Sequence, residues 1–86
     1  MARRYSLRLD GRTIELPASV MDDDESERYA RIAVMTRYDC PARIGEAGWM
    51  TDGLGRHRHL FAARPSGVSE YVGRIECAEV EPKKTF

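Results

Sequence analysis

The sequence predicts a mostly β fold, a small antiparallel barrel or sandwich of five to six short strands. Three observations carry that prediction. Asp10-Gly11 sits between two runs of alternating apolar residues, which is a hairpin signature. A second hairpin pattern follows later, in Trp49-Met50-Thr51, then DGLG, then RHRHLFAARP. Short runs rich in β-branched and aromatic residues recur between Gly and Pro turns, as they do in small all-β folds.

The first hairpin is RYSLRL, DG, RTIEL, with a type I′ turn whose two central residues need positive φ. Closing on that turn pairs Leu9 with Arg12, Leu7 with Ile14 and Tyr5 with Leu16. The large apolar residues then share one face, while Ser6, Arg8, Thr13 and Glu15 share the other. Pro17 ends the second strand. The acidic run Asp22 to Glu25 belongs in water, as a loop or at a helix N-terminus, where exposed amides favour carboxylates.

YARIAVMTRYD, which follows, fits two patterns. As a strand it puts Ile32, Val34, Thr36 and Tyr38 on one side. As a helix it has Asp22, Asp23 and Asp24 for capping and Tyr29, Ile32 and Ala33 on one stripe. The reading taken is a strand after a loop or one helical turn. The alternative is an α+β fold with one helix in residues 22–37 packed on an antiparallel sheet.

Cys40-Pro41 breaks that element, and ARIGEAG reads as a crossing or a short irregular strand. The second hairpin has a loop of two residues (Asp52-Gly53) or of four (Asp52 to Gly55). The longer version sets Met50 opposite His57 and gives the cleaner apolar face. PSG leads to the last strand, VSEYVGRIECAEVE, in which Gly73 marks a bulge or a bend. Residues 1–81 are expected to form one compact domain and 82–86 a frayed tail.

Composition narrows the function classes. The chain has 86 residues, 42% of them hydrophobic and 33% charged, which suits a folded domain rather than a disordered tail. No apolar run approaches the roughly 18 residues of a membrane span, and the N-terminal MARRYSLRLDG lacks a signal-peptide core, so a cytoplasmic location is expected. Fourteen basic and fourteen acidic side chains cancel. That balance opposes a strongly charged nucleic-acid binder, although it leaves room for a basic face. All the cations but Lys83 and Lys84 are arginine, a bias that codon usage in a GC-rich bacterium or its phage explains.

The stretch RHRHLFAAR carries the most chemistry. Period-two alternation puts His57, His59, Phe61 and Ala63 on one face and Arg56, Arg58, Leu60, Ala62 and Arg64 on the other. The imidazoles are expected to turn inward and the guanidiniums outward. His57 and His59 with Cys77 and Cys40 would make a Cys₂His₂ set, but the spacing matches no zinc signature, so no metal and no cofactor is assigned. Two cysteines outside any C-x-x-C pair are expected to be small buried hydrophobes. The acidic run Asp22, Asp23 and Asp24 lacks the alternation and glycine of a calcium loop and reads as a solvated steering patch.

No catalytic motif is present: no P-loop, no G-x-G-x-x-G, no G-x-S-x-G and no H-E-x-x-H. The expectation is a non-catalytic binding module with another protein as its partner, such as an adaptor, an inhibitor or an assembly subunit of a bacterium or phage. Contacts are expected at Trp49, at Leu54 in the GLG tip, at Arg56, Arg58, Arg64 and Arg74, and at the three aspartates. An edge strand offers a route to a homodimer. The alternative is a single-stranded nucleic-acid binder that uses the arginine face, with Arg8 added from the first hairpin. Pairing of those arginines with Glu70 and Glu76 is the simpler account of the strip.

Overall fold

The computed structural model describes residues 2–53 and 55–80. Leu54 and the expected tail, 82–86, lie outside the described residues. The elements, in chain order, are β1 (Ala2–Leu9), β2 (Arg12–Glu15), α1 (Asp23–Tyr38), β3 (Ala42–Ile44), β4 (Met50–Asp52), β5 (Gly55–Ala63) and β6 (Ser69–Val80).

The first hairpin forms as its sequence dictates. Asp10 and Gly11 take φ of 52° and 75°, and Leu9 pairs with Arg12 and Leu7 with Ile14. The second hairpin sets Met50 opposite His57 and closes at Asp52 and Gly55, the register that the four-residue loop requires. Gly73 marks a bulge as expected: Leu60 pairs with Gly73 but Phe61 with Tyr71, so one residue of β6 is extra.

The described strands form one antiparallel sheet in the order β2-β1-β6-β5-β3, with β4 beside β3 on the same edge of β5. β6, the last of the described strands, is therefore central. It pairs with β1 from Ala2–Val80 to Leu9–Gly73 and with β5 along the full length of that strand. The sheet does not close on itself. The fold is mostly β as expected, but its layering is that of the α+β alternative, with one helix on an open sheet.

Residues 23–38 are that helix, which corrects the strand reading. The physical reason lies at its ends. Asp22 has extended backbone (φ −136°, ψ 163°) and its side chain accepts the Glu25 amide at 2.8 Å, so it is the N-cap. Asp23, Asp24 and Glu25 fill the first turn, where the exposed amides favour them. At the far end Asp39 is left-handed (φ 53°) and donates its amide to the Met35 carbonyl at 3.0 Å. The β-branched residues lose to those caps and to burial of a helical stripe.

That stripe is Ser26, Ala30 and Val34, all buried, at a spacing of four. It differs from the stripe read in the sequence, because Tyr29 and Ile32 point outward. Small residues on the stripe let the helix sit close over β1, β6 and β5. The core between them is Tyr5, Leu7 and Leu9, with Leu60, Ala62, Val72, Ile75 and Cys77. Val20 and Cys40 close it at the connections into and out of α1. Among the described residues no helix is long and apolar enough to cross a membrane.

Candidate functional site: the open face of the sheet

The period-two alternation through β5 is as read, but its sense is reversed. The face that α1 covers is the one with Leu60 and Ala62, both fully buried. Arg56, Arg58 and Arg64 share that face, so the guanidiniums turn toward the helix and the imidazoles toward the open side. The reason is volume. Leu60 and Ala62 fit beneath a helix, and arginine stems can lie along apolar surface while their heads reach its charged margins.

The heads find acids there. Arg56 Nη1 and Nη2 donate to the two Asp23 carboxylate oxygens at 3.0 and 3.1 Å. Arg58 donates to Glu27 Oε2 at 3.2 Å and to the Gly45 carbonyl at 3.1 Å. Arg64 donates to Glu70 Oε2 at 2.7 Å and lies 5.7 Å over the Tyr38 ring. Trp49 packs beneath Arg56, whose guanidinium carbon is 5.0 Å from the ring centre. Asp22 caps the helix, Asp24 is exposed, and Leu54 lies outside the described residues. Arg56 and Arg58 of the strip thus pair with Asp23 and Glu27 of α1, and of the three aspartates read as a docking patch only Asp23 takes part.

Arg74 is the exception, because it projects from the other face. That face has no covering layer among the described residues. Strand register arranges it in rows. Thr13, Arg8, Arg74 and His59 lie side by side across four strands. One step along, the row is Glu15, Ser6, Glu76, His57 and Met50. One step the other way, past the bulge, Tyr71 pairs with Phe61 and Phe61 with Arg43. The bulge decides this last row. Without the extra residue Tyr71 would stay on the side of Ile75 and Cys77, beneath the helix.

The rings meet one another. His59 lies 5.3 Å from Tyr71 and 6.5 Å from Phe61, edge to face in both cases, and Phe61 lies 5.7 Å from Tyr71. His57 is 5.4 Å from His59, and its Nδ1 is hydrogen-bonded to the Asp52 carboxylate. Tyr71 remains 54% exposed, a large fraction for a ring in a packed cluster. Beside Phe61 a shallow depression of about 220 Å³ is lined by Arg43, Gly45 and Ser69. Gly45 matters to it, since a Cβ there would approach the His59 Cβ to 3.3 Å.

The four residues of the Cys₂His₂ set are split by the sheet. Cys40 and Cys77 are buried on the helix side and the histidines project from the opposite one. Among the described residues no three His, Cys, Asp or Glu side chains gather in a way that could hold a metal ion. The open-face residues that sequence reasoning missed are Arg43, Tyr71 and the ring cluster as a solvent-facing group.

Compared with known proteins, the chain matches no family model, no curated protein and no solved structure.

Proposed function

We propose that this chain is a non-catalytic binding module and that the open sheet face is its docking surface. The observation that supports this most directly is the His59, Phe61 and Tyr71 cluster left uncovered beside two arginines directly opposite one another, Arg8 and Arg74. Aromatic rings and arginines are the side chains that dominate binding energy when they become desolvated. The ligand is macromolecular on this reading. The face is broad, and its depressions beside Phe61 and Glu76, of about 220 and 270 Å³, fall short of the ~300–1,000 Å³ common for small-molecule pockets.

A second reading keeps a protein partner but moves it to the helix. Tyr29, Ile32 and Met35 are 41%, 66% and 46% exposed and recur at a spacing of three, forming an apolar stripe on the outer face of α1. The sheet edges contribute less to either reading. β2 has four residues, and the opposite edge is split into β3 and β4 of three residues each, which suits edges that resist strand addition.

A paired capture experiment separates the two surfaces. The tagged chain, a Phe61→Ser/Tyr71→Ser double variant and an Ile32→Ser/Met35→Ser double variant are each passed over lysate of the source cell. Bound protein and bound nucleic acid are then both measured. The open-face reading expects retention that only the Phe61/Tyr71 variant loses. Loss confined to the Ile32/Met35 variant transfers docking to the helix, and a wild-type chain that retains nothing overturns both.

A further inference from the structure

We infer that the ligand of the open face is a single-stranded nucleic acid, its phosphates bridging Arg8 and Arg74 and a base stacking on the exposed Tyr71 ring beside His59 and Phe61. The inference rests on the reading that this face is the docking surface, and it names the chemistry that the surface fits.

The first support is electrostatic. Arg8 and Arg74 are Cα partners across β1 and β6 and project from the same face. Like charges directly opposite one another weaken a strand pair, so this placement costs the sheet stability. The fold does little to relieve it. Arg8 is exposed and makes no ion pair among the described residues. Arg74 has a loose pairing with Glu76 at 3.6 Å, and its Nε is buried with no hydrogen-bond acceptor. A phosphate bridging the exposed Arg8 and the outer guanidinium nitrogens of Arg74 supplies the missing negative charge. His59 extends the same row and adds a further donor edge.

The second support is the ring cluster in the adjoining row. Rows on one face lie two residues, about 7 Å, apart along the strands, the scale of one nucleotide step in an extended chain. A phosphate over Arg8 and Arg74 therefore leaves its base within reach of Tyr71 and Phe61. The depression beside Phe61, with Arg43 on its rim, receives the next base. Tyr71, 54% exposed and edge to face against His59 and Phe61, takes a base that is already unstacked, which a duplex does not offer.

Net neutrality of the whole chain leaves room for a local basic row, and Arg8 opposite Arg74 is such a row. Glu15 and Glu76 occupy the neighbouring row. They confine an anionic chain to the Arg8, Arg74 and His59 row rather than letting it drift across the sheet.

The test is fluorescence anisotropy with the whole chain. The probes are a labelled oligothymidylate, an oligouridylate and a mixed-sequence DNA duplex of equal length, each at low and at physiological salt. The inference expects single strands to bind more tightly than the duplex, with affinity falling steeply as salt rises. Tyr71→Ala and Arg74→Gln should each weaken binding about tenfold, and Arg28→Gln, on the helix, should leave it unchanged. Arg8→Gln replaces Arg74→Gln if circular dichroism shows that the latter misfolds. Equal weakening by Arg28→Gln reveals diffuse charge attraction and overturns the inference, as does the absence of binding at low salt. If no oligonucleotide binds while nuclease-treated lysate still yields a protein that the Phe61/Tyr71 variant loses, only the ligand class is wrong and the docking surface stands.

Discussion

Asp23 grips Arg56 with both carboxylate oxygens, and the oxygen 3.1 Å from Arg56 Nη2 also accepts the Tyr5 hydroxyl at 2.7 Å. One side chain in the first turn of α1 is thereby tied to β5 and to β1. The carboxylate and guanidinium are only 30% and 24% exposed, so water screens the pair weakly. Arg56→Gln or Asp23→Asn is expected to cost about 1.5–3 kcal/mol, the range for hydrogen bonds to charged groups. The double variant should cost less than the two single costs added together. Urea denaturation of the four proteins measures this, and strict additivity would show that the pair does not act as a unit.

Acid should weaken the protein through the same carboxylate. Burial by itself raises the Asp23 pKa, but the hydrogen bonds from Arg56 and Tyr5 and the charge of Arg56 outweigh it and hold the carboxyl below its ordinary value. A carboxyl with a lowered folded-state pKa stabilises the fold fully above its unfolded value of about 3.9. That contribution is lost as pH falls through the folded value. Thermal midpoints measured from pH 6 downward should therefore drop more steeply below about pH 4 in the wild type than in Asp23→Asn. Parallel curves for the two proteins count against this assignment.

Gly73 pairs with Leu9 where β6 runs beside β1. A Cβ built there runs into the Arg8 carbonyl oxygen, which is backbone and has little room to yield. Gly73→Ala should destabilise the chain by about 3 kcal/mol or more, the upper end of the cost of overpacking. Gly67→Ala is the comparison, since nothing lies within 4 Å of a Cβ there and only its φ of +89° opposes the change. Chemical denaturation should rank Gly73→Ala as clearly the worse of the two.

Asp39 closes α1 in the left-handed region at φ 53°, a conformation that costs most L-residues about 1–2 kcal/mol and aspartate somewhat less. Asp39→Gly should raise stability by about 0.5–1 kcal/mol. Asp22→Ala, which removes the N-cap acceptor of the Glu25 amide, should lower it by about 1 kcal/mol. Thermal denaturation of the pair gives shifts of opposite sign if both ends of the helix are capped as described.

Short-range signals correspond to the local structure that forms. Asp10-Gly11 fixed a turn whose two positive φ values admit few residue pairs, and the alternation around it set the register. Gly73 announced the bulge. The helix was harder to see, because Ile32, Val34 and Thr36 favour a strand on propensity; the Asp22 cap is local, but the buried Ser26, Ala30 and Val34 stripe works only against a sheet already in place. The orientation of β5 was hidden for the same reason. Alternation separates two faces but does not say which one a distant helix will cover, and histidine, phenylalanine and arginine each tolerate either side. The pairing of Arg56 with Asp23 spans 33 residues, and nothing within either segment points to the other.

β6, the last of the described strands, lies in the middle of the sheet, between β1 and β5. Within the sheet the N-terminal hairpin and the β3–β5 flank are joined only through residues 69–80. Loosening that one strand therefore frees both flanks at once, so the sheet should come apart from its centre and not peel from an edge.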